Sequence, residues 1–141
     1  AFLIVLSSCD KEDDHDHEHE HGGDKVYEYH AHIHSPSSTT KILGDTLIIS
    51  VEYESHTGEP VHHVNVVMHQ KDDASVVVFD EPNEAHVHGA YGKHTFEKTL
   101  ILTGENGISA HKDYTIKASV WGASEGVELI EEKVSFHVHE N

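Results

Sequence analysis

The sequence contains no arginine and only one cysteine, and both shortages exclude familiar classes of protein. Its 141 residues include 9 basic residues, all of them Lys, against 26 acidic residues, which gives a formal charge of −17. A chain this acidic is poorly suited to binding nucleic-acid phosphates, so we expect no nucleic acid among its partners. One cysteine cannot form an internal disulfide framework or a Cys-based zinc finger. What the chain has in excess is histidine, with 17 residues.

A long apolar run is also lacking. The apolar stretch at the start, Ala1–Leu6, has far fewer than the ~20 residues that a membrane-spanning helix needs. It is more typical of the end of the apolar region of a signal peptide. A buried strand with a free thiol nearby is the alternative interpretation.

The residues that follow, Leu6-Ser7-Ser8-Cys9, resemble the lipobox of bacterial lipoproteins. In that family the cysteine is lipidated and becomes the first residue of the mature protein, so the resemblance implies that Cys9 anchors the chain to a membrane. Asp10-Lys11-Glu12-Asp13-Asp14 resembles the surface-export signal of Bacteroidota lipoproteins. Residues 1–9 are therefore expected to end a signal peptide, and the protein to lie on the cell surface, anchored to the outer membrane.

Residues 10–24 have no hydrophobic side chain, and they include eight acids and one base. Such a segment cannot bury apolar surface, so we predict a disordered tether. Four histidines alternate with acids in it: His15, His17, His19 and His21. Imidazole and carboxylate together suit Zn²⁺, Cu²⁺ and Ni²⁺, which predicts metal binding by the tether. A solvated spacer is the alternative, and the two roles are compatible.

Residues 25–141 show period-two alternation with turn signals between short stretches, which predicts an all-β domain. Seven strands of this kind indicate an antiparallel β-sandwich with a long loop at Asp80–Lys93. The predicted strands are Val26–His34, Thr46–Ser55, Val61–Gln70, Ser75–Phe79, Thr95–Leu102, Asp113–Trp121 and Val127–His139.

Two stretches of this domain resemble bacterial Ig-like modules. Ile33-His34-Ser35-Pro36 followed by Gly44–Ile49 is similar to their opening, and Asp113-Tyr114-Thr115-Ile116 is similar to their penultimate strand, where a tyrosine braces a corner. The whole chain thus resembles the His-rich, Ig-like β-sandwich lipoproteins of Bacteroidota. The resemblance implies an Ig-like fold, and no reaction follows from it.

Histidines recur at every second position of the first and last predicted strands, and this spacing favours metal binding. Side chains two apart on a strand lie about 6.6 Å apart on one face, so a pair can converge on one ion. Three in a row span about 13 Å, so a third ligand must come from elsewhere. If the first and last strands pair, one outer patch forms; its members are His30, His32, His34, His137 and His139.

The long loop offers a second site, which we rank first because long loops are more often functional than decorative. Its candidate ligands are Glu84, His86, His88 and His94. His56 and His111 look solitary, and no role is assigned to them. Since the domain has no thiol, its ligands are nitrogen and oxygen, and Zn²⁺ is the expected ion, with Cu²⁺ or Ni²⁺ as alternatives.

Three functions were weighed. The first is a cell-surface lipoprotein that captures or buffers zinc and hands it to an outer-membrane transporter or another surface protein. The second is an Ig-like module that binds a protein or glycan through a pH-sensitive histidine surface, with incidental metal binding. The third is a metalloenzyme, since Ala31-His32-Ile33-His34 resembles a local piece of Cu/Zn superoxide dismutase. The disulfide cysteines of that enzyme are missing, and we expect that this protein is not an enzyme.

Overall fold

The computed structural model describes residues 28–57, 61–87, 92–122 and 129–141, and these residues form eight β-strands. A single 3-10 turn at Gly104–Asn106 precedes the seventh strand. The strands are β1 (Tyr29–Ser35), β2 (Lys41–Ile42), β3 (Thr46–Ser55), β4 (Val61–Gln70), β5 (Val77–Val87), β6 (Gly92–Ile101), β7 (Lys112–Trp121) and β8 (Ile130–His139).

The strands form two sheets that pack face to face. One sheet has the order β1-β3-β6, and the other has the order β2-β8-β7-β4-β5. Every pairing is antiparallel except the two-residue contact of β2 with β8, which is parallel. The domain is therefore an Ig-like antiparallel β-sandwich, and the predicted fold class is confirmed.

Strict alternation along the strands separates the core from the outer faces. In β3 the inward residues Leu47, Ile49, Val51 and Tyr53 are all buried, while the residues between them face outward. The Tyr53 hydroxyl donates a hydrogen bond across the sandwich to the carbonyl oxygen of Asn65 in β4, at 3.1 Å. This bond links the two sheets, and burial raises the pKa of the Tyr53 phenol.

Tyr114 braces the corner that leads into β7, as the resemblance to Ig-like modules implied. Its side chain is fully buried, and its hydroxyl accepts a hydrogen bond from the backbone N–H of Ser109 at 2.8 Å. The segment between the 3-10 turn and β7 is thereby held against the core. A buried tyrosine hydroxyl of this kind normally finds such a partner.

The predicted long loop at Asp80–Lys93 is wrong, because strand structure occupies most of it. β5 continues to Val87, and β6 already begins at Gly92. Pro82 lies within β5, which is an edge strand that pairs with β4 alone. A proline, which lacks an N–H, is tolerated at an edge because one side of the strand needs no partner.

The first and last strands do not pair, so the single patch that depended on their pairing does not form. β1 pairs with β3 in one sheet, whereas β8 pairs with β7 and β2 in the other. After β1 the chain crosses between the sheets, and Lys41–Ile42 takes the free edge of β8. The backbone N–H of Leu43 extends this contact by donating to the carbonyl oxygen of His139 at 2.8 Å.

Candidate metal centres

The histidines of β1 line the outer face of the three-stranded sheet. His30, His32 and His34 alternate with the buried Tyr29 and Ala31, so their rings point away from the core. Consecutive rings are 5.9 Å and 6.3 Å apart between centroids. That spacing follows from the strand geometry, and it brings neighbours together in pairs rather than all three at one point.

β3 places carboxylates beside these histidines. Glu52 and Glu54 face outward from the central strand of the sheet, next to β1. Nε2 of His32 lies 3.2 Å from Oε1 of Glu54, and Nε2 of His34 lies 3.9 Å from Oε1 of Glu52. The outer face therefore alternates imidazole and carboxylate across the two strands.

Three residues at one end of this face form what we call the outer-face cluster: Glu28, His30 and His56. Their potential ligand atoms all lie within 4.8 Å of one another. The His30 and His56 rings stack at 4.0 Å between centroids, and Nε2 of His30 is 3.4 Å from Oε1 of Glu28. The backbone N–H of His56 donates to the Glu28 carbonyl at 2.9 Å, which holds the two chain segments together.

The contacts around Glu54 favour the ionised form of its carboxylate. The pKa of Glu54 is lowered, first by a hydrogen bond from His56 and then by one from His32, with partial desolvation acting in the opposite direction. The positive charge of Lys93 lowers the same pKa. The Lys93 ammonium also lies 3.2 Å from Oε1 of Glu52. An ionised carboxylate is the form that binds a cation.

A second group, which we call the end cluster, lies where β7 begins and β8 ends. It consists of His111, His137 and His139, and their potential ligand atoms also lie within 4.8 Å of one another. The rings of His137 and His139 meet edge to face at 4.7 Å, and His111 is 6.3 Å from His139 between centroids. His137 is half-buried, whereas the other two are exposed.

Asp113 fixes the orientation of His137. The two residues are directly opposite in the β7–β8 register, and Nδ1 of His137 lies 2.5 Å from Oδ1 of Asp113. An ionised carboxylate only accepts, so Nδ1 carries the proton and donates it. This leaves Nε2 of His137 available for an ion, which is the usual arrangement behind a metal-bound histidine.

The backbone at His111 adopts a left-handed conformation, with φ of 63°. This conformation is uncommon for a residue other than glycine, although histidine is found there several times more often than most residues. The N–H of His111 donates to the carbonyl oxygen of Val138 at 2.7 Å, which ties the residue to β8. Its Nε2 lies 3.7 Å from Oε2 of Glu140, which could supply a further ligand.

Both clusters have donor atoms of the type and spacing that a divalent ion uses. Two ligands of one tetrahedral zinc ion, each ~2.0–2.1 Å from it, lie about 3.3 Å apart. The nitrogen–oxygen distances on the outer face, from 3.2 to 3.9 Å, bracket that value. In the end cluster the ligand atoms lie within 4.8 Å of one another, and the exposed rings of His111 and His139 can turn toward Nε2 of His137. These histidine groups could therefore hold a metal.

The described structure divides the histidines predicted from the first and last strands between two places. His30 belongs to the outer-face cluster, and His32 and His34 lie farther along the same face beside carboxylates. His137 and His139 belong to the end cluster on the other sheet. His56 in the first cluster and His111 in the second come from just outside the predicted strands.

The residues predicted as a loop site are spread over different elements. Glu84 and His86 lie in β5, His88 is outside the described residues, and His94 lies in β6 of the other sheet. His94 is on the inward side of β6, with its ring 6.5 Å from that of Tyr53. Its Nε2 is buried without a hydrogen-bond partner among the residues that the structure describes. A metal site formed by these four residues stays a prediction.

Sequence reasoning missed His56, His111 and Glu28, and it had described the first two as solitary. A signal for His56 was present, since Glu52, Glu54 and His56 continue the outward period of β3 by one step beyond the predicted end of the strand. His111 precedes β7 by one residue and gave no periodic signal. Its neighbours come from β8, more than twenty residues away in sequence.

Cys9 and the tether histidines His15, His17, His19 and His21 are outside the described residues, so their predicted roles stay predictions. Within the part of the chain that is described, no helix has the length and apolar character needed to cross a bilayer. The tether also contains His17-Glu18-His19-Glu20-His21, which has the spacing of a zinc-hydrolase motif. That motif functions on a helix, with the two histidines on one face.

A nucleophile-type spacing, Gly-x-Ser-x-Gly, occurs at Gly122-Ala123-Ser124-Glu125-Gly126. The elements on either side are β7 and β8, which form an antiparallel pair. A nucleophile elbow instead connects a strand to a helix.

No known protein family and no curated protein matches the chain. Solved structures do match it. The CARDB domain of a Pyrococcus furiosus protein, solved in complex with di-metal ions, is similar over 81% of this chain and 96% of its own, with 12% identity and a TM-score of 0.49. Red sea bream transglutaminase matches 84% of this chain with 13% identity and a TM-score of 0.56.

A Listeria innocua β-glucosidase in complex with glucose is also similar, over 82% of this chain, with 14% identity and a TM-score of 0.44. The chain spans only 17% of the length of the transglutaminase and 17% of that of the β-glucosidase. At these identities the similarity concerns the fold alone. It agrees with the Ig-like β-sandwich described above.

Proposed function

We propose that this chain is a cell-surface lipoprotein that binds divalent metal ions and captures or buffers zinc. The observation that carries the proposal is the end cluster, where three imidazoles face one another and Asp113 orients one of them. The outer-face cluster supplies a second set of ligands. The proposed role is binding without catalysis.

The ligand chemistry favours zinc. The domain after residue 24 contains no cysteine, so nitrogen and oxygen are the available donors. Cu²⁺ binds such sites more tightly than Zn²⁺, so the supply of each ion decides which one is bound. Most ligands in both clusters are at least partly exposed, which suits capture and release better than permanent structural binding.

The proposed location rests on the sequence around Cys9, which resembles a lipobox and is followed by an acidic segment. A membrane anchor with a flexible tether would keep the domain close to an outer-membrane transporter or another surface protein that accepts the ion. The tether histidines would raise the local metal concentration near the domain. The charge of −17 attracts cations at low ionic strength.

The test is native mass spectrometry of the full chain titrated with Zn²⁺ at about pH 7.4 and about pH 5.5. A matched variant has all four tether histidines changed to alanine, so that only the domain can bind through imidazole. We expect this variant to retain bound zinc near neutral pH and to lose it in acid, because ligation requires neutral imidazole. Binding that disappears with the tether histidines would contradict a site in the domain.

A second candidate function is an Ig-like interaction module with a pH-sensitive surface. The observation in its favour is that the outer-face histidines contact carboxylates directly, with His32 and His56 each 3.2 Å from Glu54. Such pairs are satisfied without a metal, and protonation of these imidazoles in acid would change the charge of the surface. Partner binding that depends on pH and is unaffected by zinc would favour this function.

A further inference from the structure

Two carboxylates on the outer face each lie between two imidazole nitrogens. Oε1 of Glu28 is 3.4 Å from Nε2 of His30 and 3.7 Å from Nδ1 of His56. Oε1 of Glu54 is 3.2 Å from Nε2 of His32 and 3.2 Å from Nε2 of His56. His56 is common to both groups, and its two ring nitrogens face different carboxylates.

The spacing of these two groups matches the separation of two ions bound to the two nitrogens of one imidazole ring. Ions bound to the two nitrogens of a single ring lie about 6 Å apart, since each metal–nitrogen bond is about 2 Å long. The terminal ligands on β1, His30 and His32, are 5.9 Å apart between ring centroids. Each β1 histidine is therefore placed to serve one of two ions that share His56.

We propose that the outer face binds a pair of divalent metal ions bridged by the imidazole of His56. One ion is held by Glu28, His30 and Nδ1 of His56, and the other by Glu54, His32 and Nε2 of His56. The inference rests on the proposed metal-binding function and deepens it, because it makes the cargo of this face a pair of ions. Glu54 and His32 become direct ligands, in addition to the three residues of the outer-face cluster.

The charges and protons of the loaded site balance. A neutral imidazole carries one N–H proton, and occupation of both nitrogens of His56 releases that proton to solvent. No electron is transferred. The resulting imidazolate and the two carboxylates supply three negative charges against the four positive charges of the ions, which offsets most of the repulsion between ions so close together.

The ligands can adjust without disturbing the fold. Half of the His32 side-chain surface is exposed, and that of His30 is 36% exposed. All the ligands are on the outer face, while the residues that alternate with them, Ala31 and Tyr53, belong to the core. Turning an imidazole to meet an ion therefore changes no core packing.

The test uses Cu²⁺ as the probe, because two copper ions bridged by imidazolate couple magnetically and lose electron paramagnetic resonance intensity. The protein is the full chain with the four tether histidines, His86, His88, His137 and His139 changed to alanine, which removes the tether, loop and end groups of histidines. We expect the outer face to bind two copper ions per chain. The spin intensity should be well below the value expected for that number of uncoupled copper ions. His56→Ala in this background should bind at most one of the two ions, with full spin intensity.

A matched control is His69→Ala, which removes a histidine from β4 in the other sheet, where Nδ1 is 2.7 Å from the carbonyl oxygen of Gln70. It should leave both the copper count and the coupling unchanged. A spin intensity equal to the copper content at full loading, or two ions retained in His56→Ala, would overturn the bridged pair. Failure of the proposed function gives a different result from failure of the bridged pair. In that case the variant that lacks only the tether histidines would bind no zinc.

Discussion

The two clusters use their carboxylates in opposite ways. On the outer face, Glu28 and Glu54 lie among the imidazole nitrogens, where they can bind an ion themselves. In the end cluster, Asp113 lies behind His137 and contacts the nitrogen that an ion would not use. Histidine and a carboxylate residue therefore supply nitrogen and oxygen ligands together in the outer-face cluster. In the end cluster the same residue types supply nitrogen ligands alone.

This difference should govern metal preference. Carboxylate-rich sets also accept Mg²⁺, Ca²⁺ and Mn²⁺, whereas imidazole sets favour Zn²⁺, Cu²⁺ and Ni²⁺. The end cluster is therefore expected to be the more selective of the two.

The largest expected effect comes from removing both β8 ligands, His137→Ala with His139→Ala. The end cluster then retains one imidazole, and its affinity for Zn²⁺ should fall by more than about 100-fold, because losing direct ligands costs more than losing the group that orients one. Calorimetric titration of the variant lacking tether histidines measures this. His30→Ala is the reciprocal control and should leave the end cluster unaffected; equal losses in both variants would contradict two separate sites.

Replacing His111 alone tests whether this left-handed residue serves as a ligand. Asparagine also tolerates a left-handed backbone, so His111→Asn removes the imidazole without adding strain. We expect a loss of about 100-fold in zinc affinity of the end cluster, with the free energy of unfolding changed by less than ~0.5 kcal/mol. Zinc titration and urea denaturation give the two quantities. Unchanged affinity would reduce His111 to a structural residue.

Asp113→Ala tests the positioning role directly. Without the carboxylate, His137 can take either tautomer, so zinc affinity of the end cluster should fall about 10-fold. Asp113→Asn keeps an acceptor oxygen, so its zinc affinity should fall less than that of Asp113→Ala. The binding curve of the outer-face cluster should be unchanged in both variants. A result in which alanine and asparagine behave alike would show that the hydrogen bond at Nδ1 is unimportant.

Tyr114→Phe separates the fold from both clusters. The variant loses the acceptor for the Ser109 N–H, and we expect the free energy of unfolding to fall by about 1 kcal/mol. Urea denaturation of the metal-free protein measures this loss. Zinc affinity of both clusters should stay within experimental error, since the hydroxyl lies in the core rather than on a ligand. A selective loss at the end cluster would show that the corner also positions His111.

The smallest effect concerns Glu54 in the metal-free protein. Because its pKa is lowered in the folded state, its ionised form stabilises the fold above the ordinary carboxyl pKa, and that contribution is lost as the pH falls through the lowered value. Glu54→Gln should therefore be slightly less stable than the parent near pH 6, by well under ~1 kcal/mol, and equally stable at a pH below the lowered pKa. Thermal unfolding at the two pH values checks this sign.

The sequence was sufficient to predict the bounds of two central strands, which have a neighbouring strand on each side. Thr46–Ser55 and Val61–Gln70 have the predicted bounds, because alternation is strongest where one face packs in the core. Lys41–Ile42 could not be predicted, since two residues contain no periodic signal and their pairing with β8 depends on the crossing between sheets. The extension of β5 through Pro82 was not predicted, because edge position is a property of the sheet rather than of the strand.

One of the three residues of the outer-face cluster and two of the three residues of the end cluster were accessible from sequence. The period-two histidines of β1 and β8 were found, because residues two apart on a strand must share a face. Glu28, His56 and His111 were not found, because their proximity follows from strand register and from the ends of strands, which alternation does not specify. The register that brings Glu54 beside His32 is visible only once β1 and β3 are paired.

Every residue of the two clusters lies outside the buried core of the described residues, whose side chains are apolar or tyrosine apart from Ser55, Thr115 and Ser119. An empty molecule and a fully loaded one should consequently have nearly the same shape. A receptor that accepts one and ignores the other must then sense the difference in net charge, which ion uptake moves upward from a strongly negative value. Delivery would be recognised by electrostatics rather than by a change of conformation.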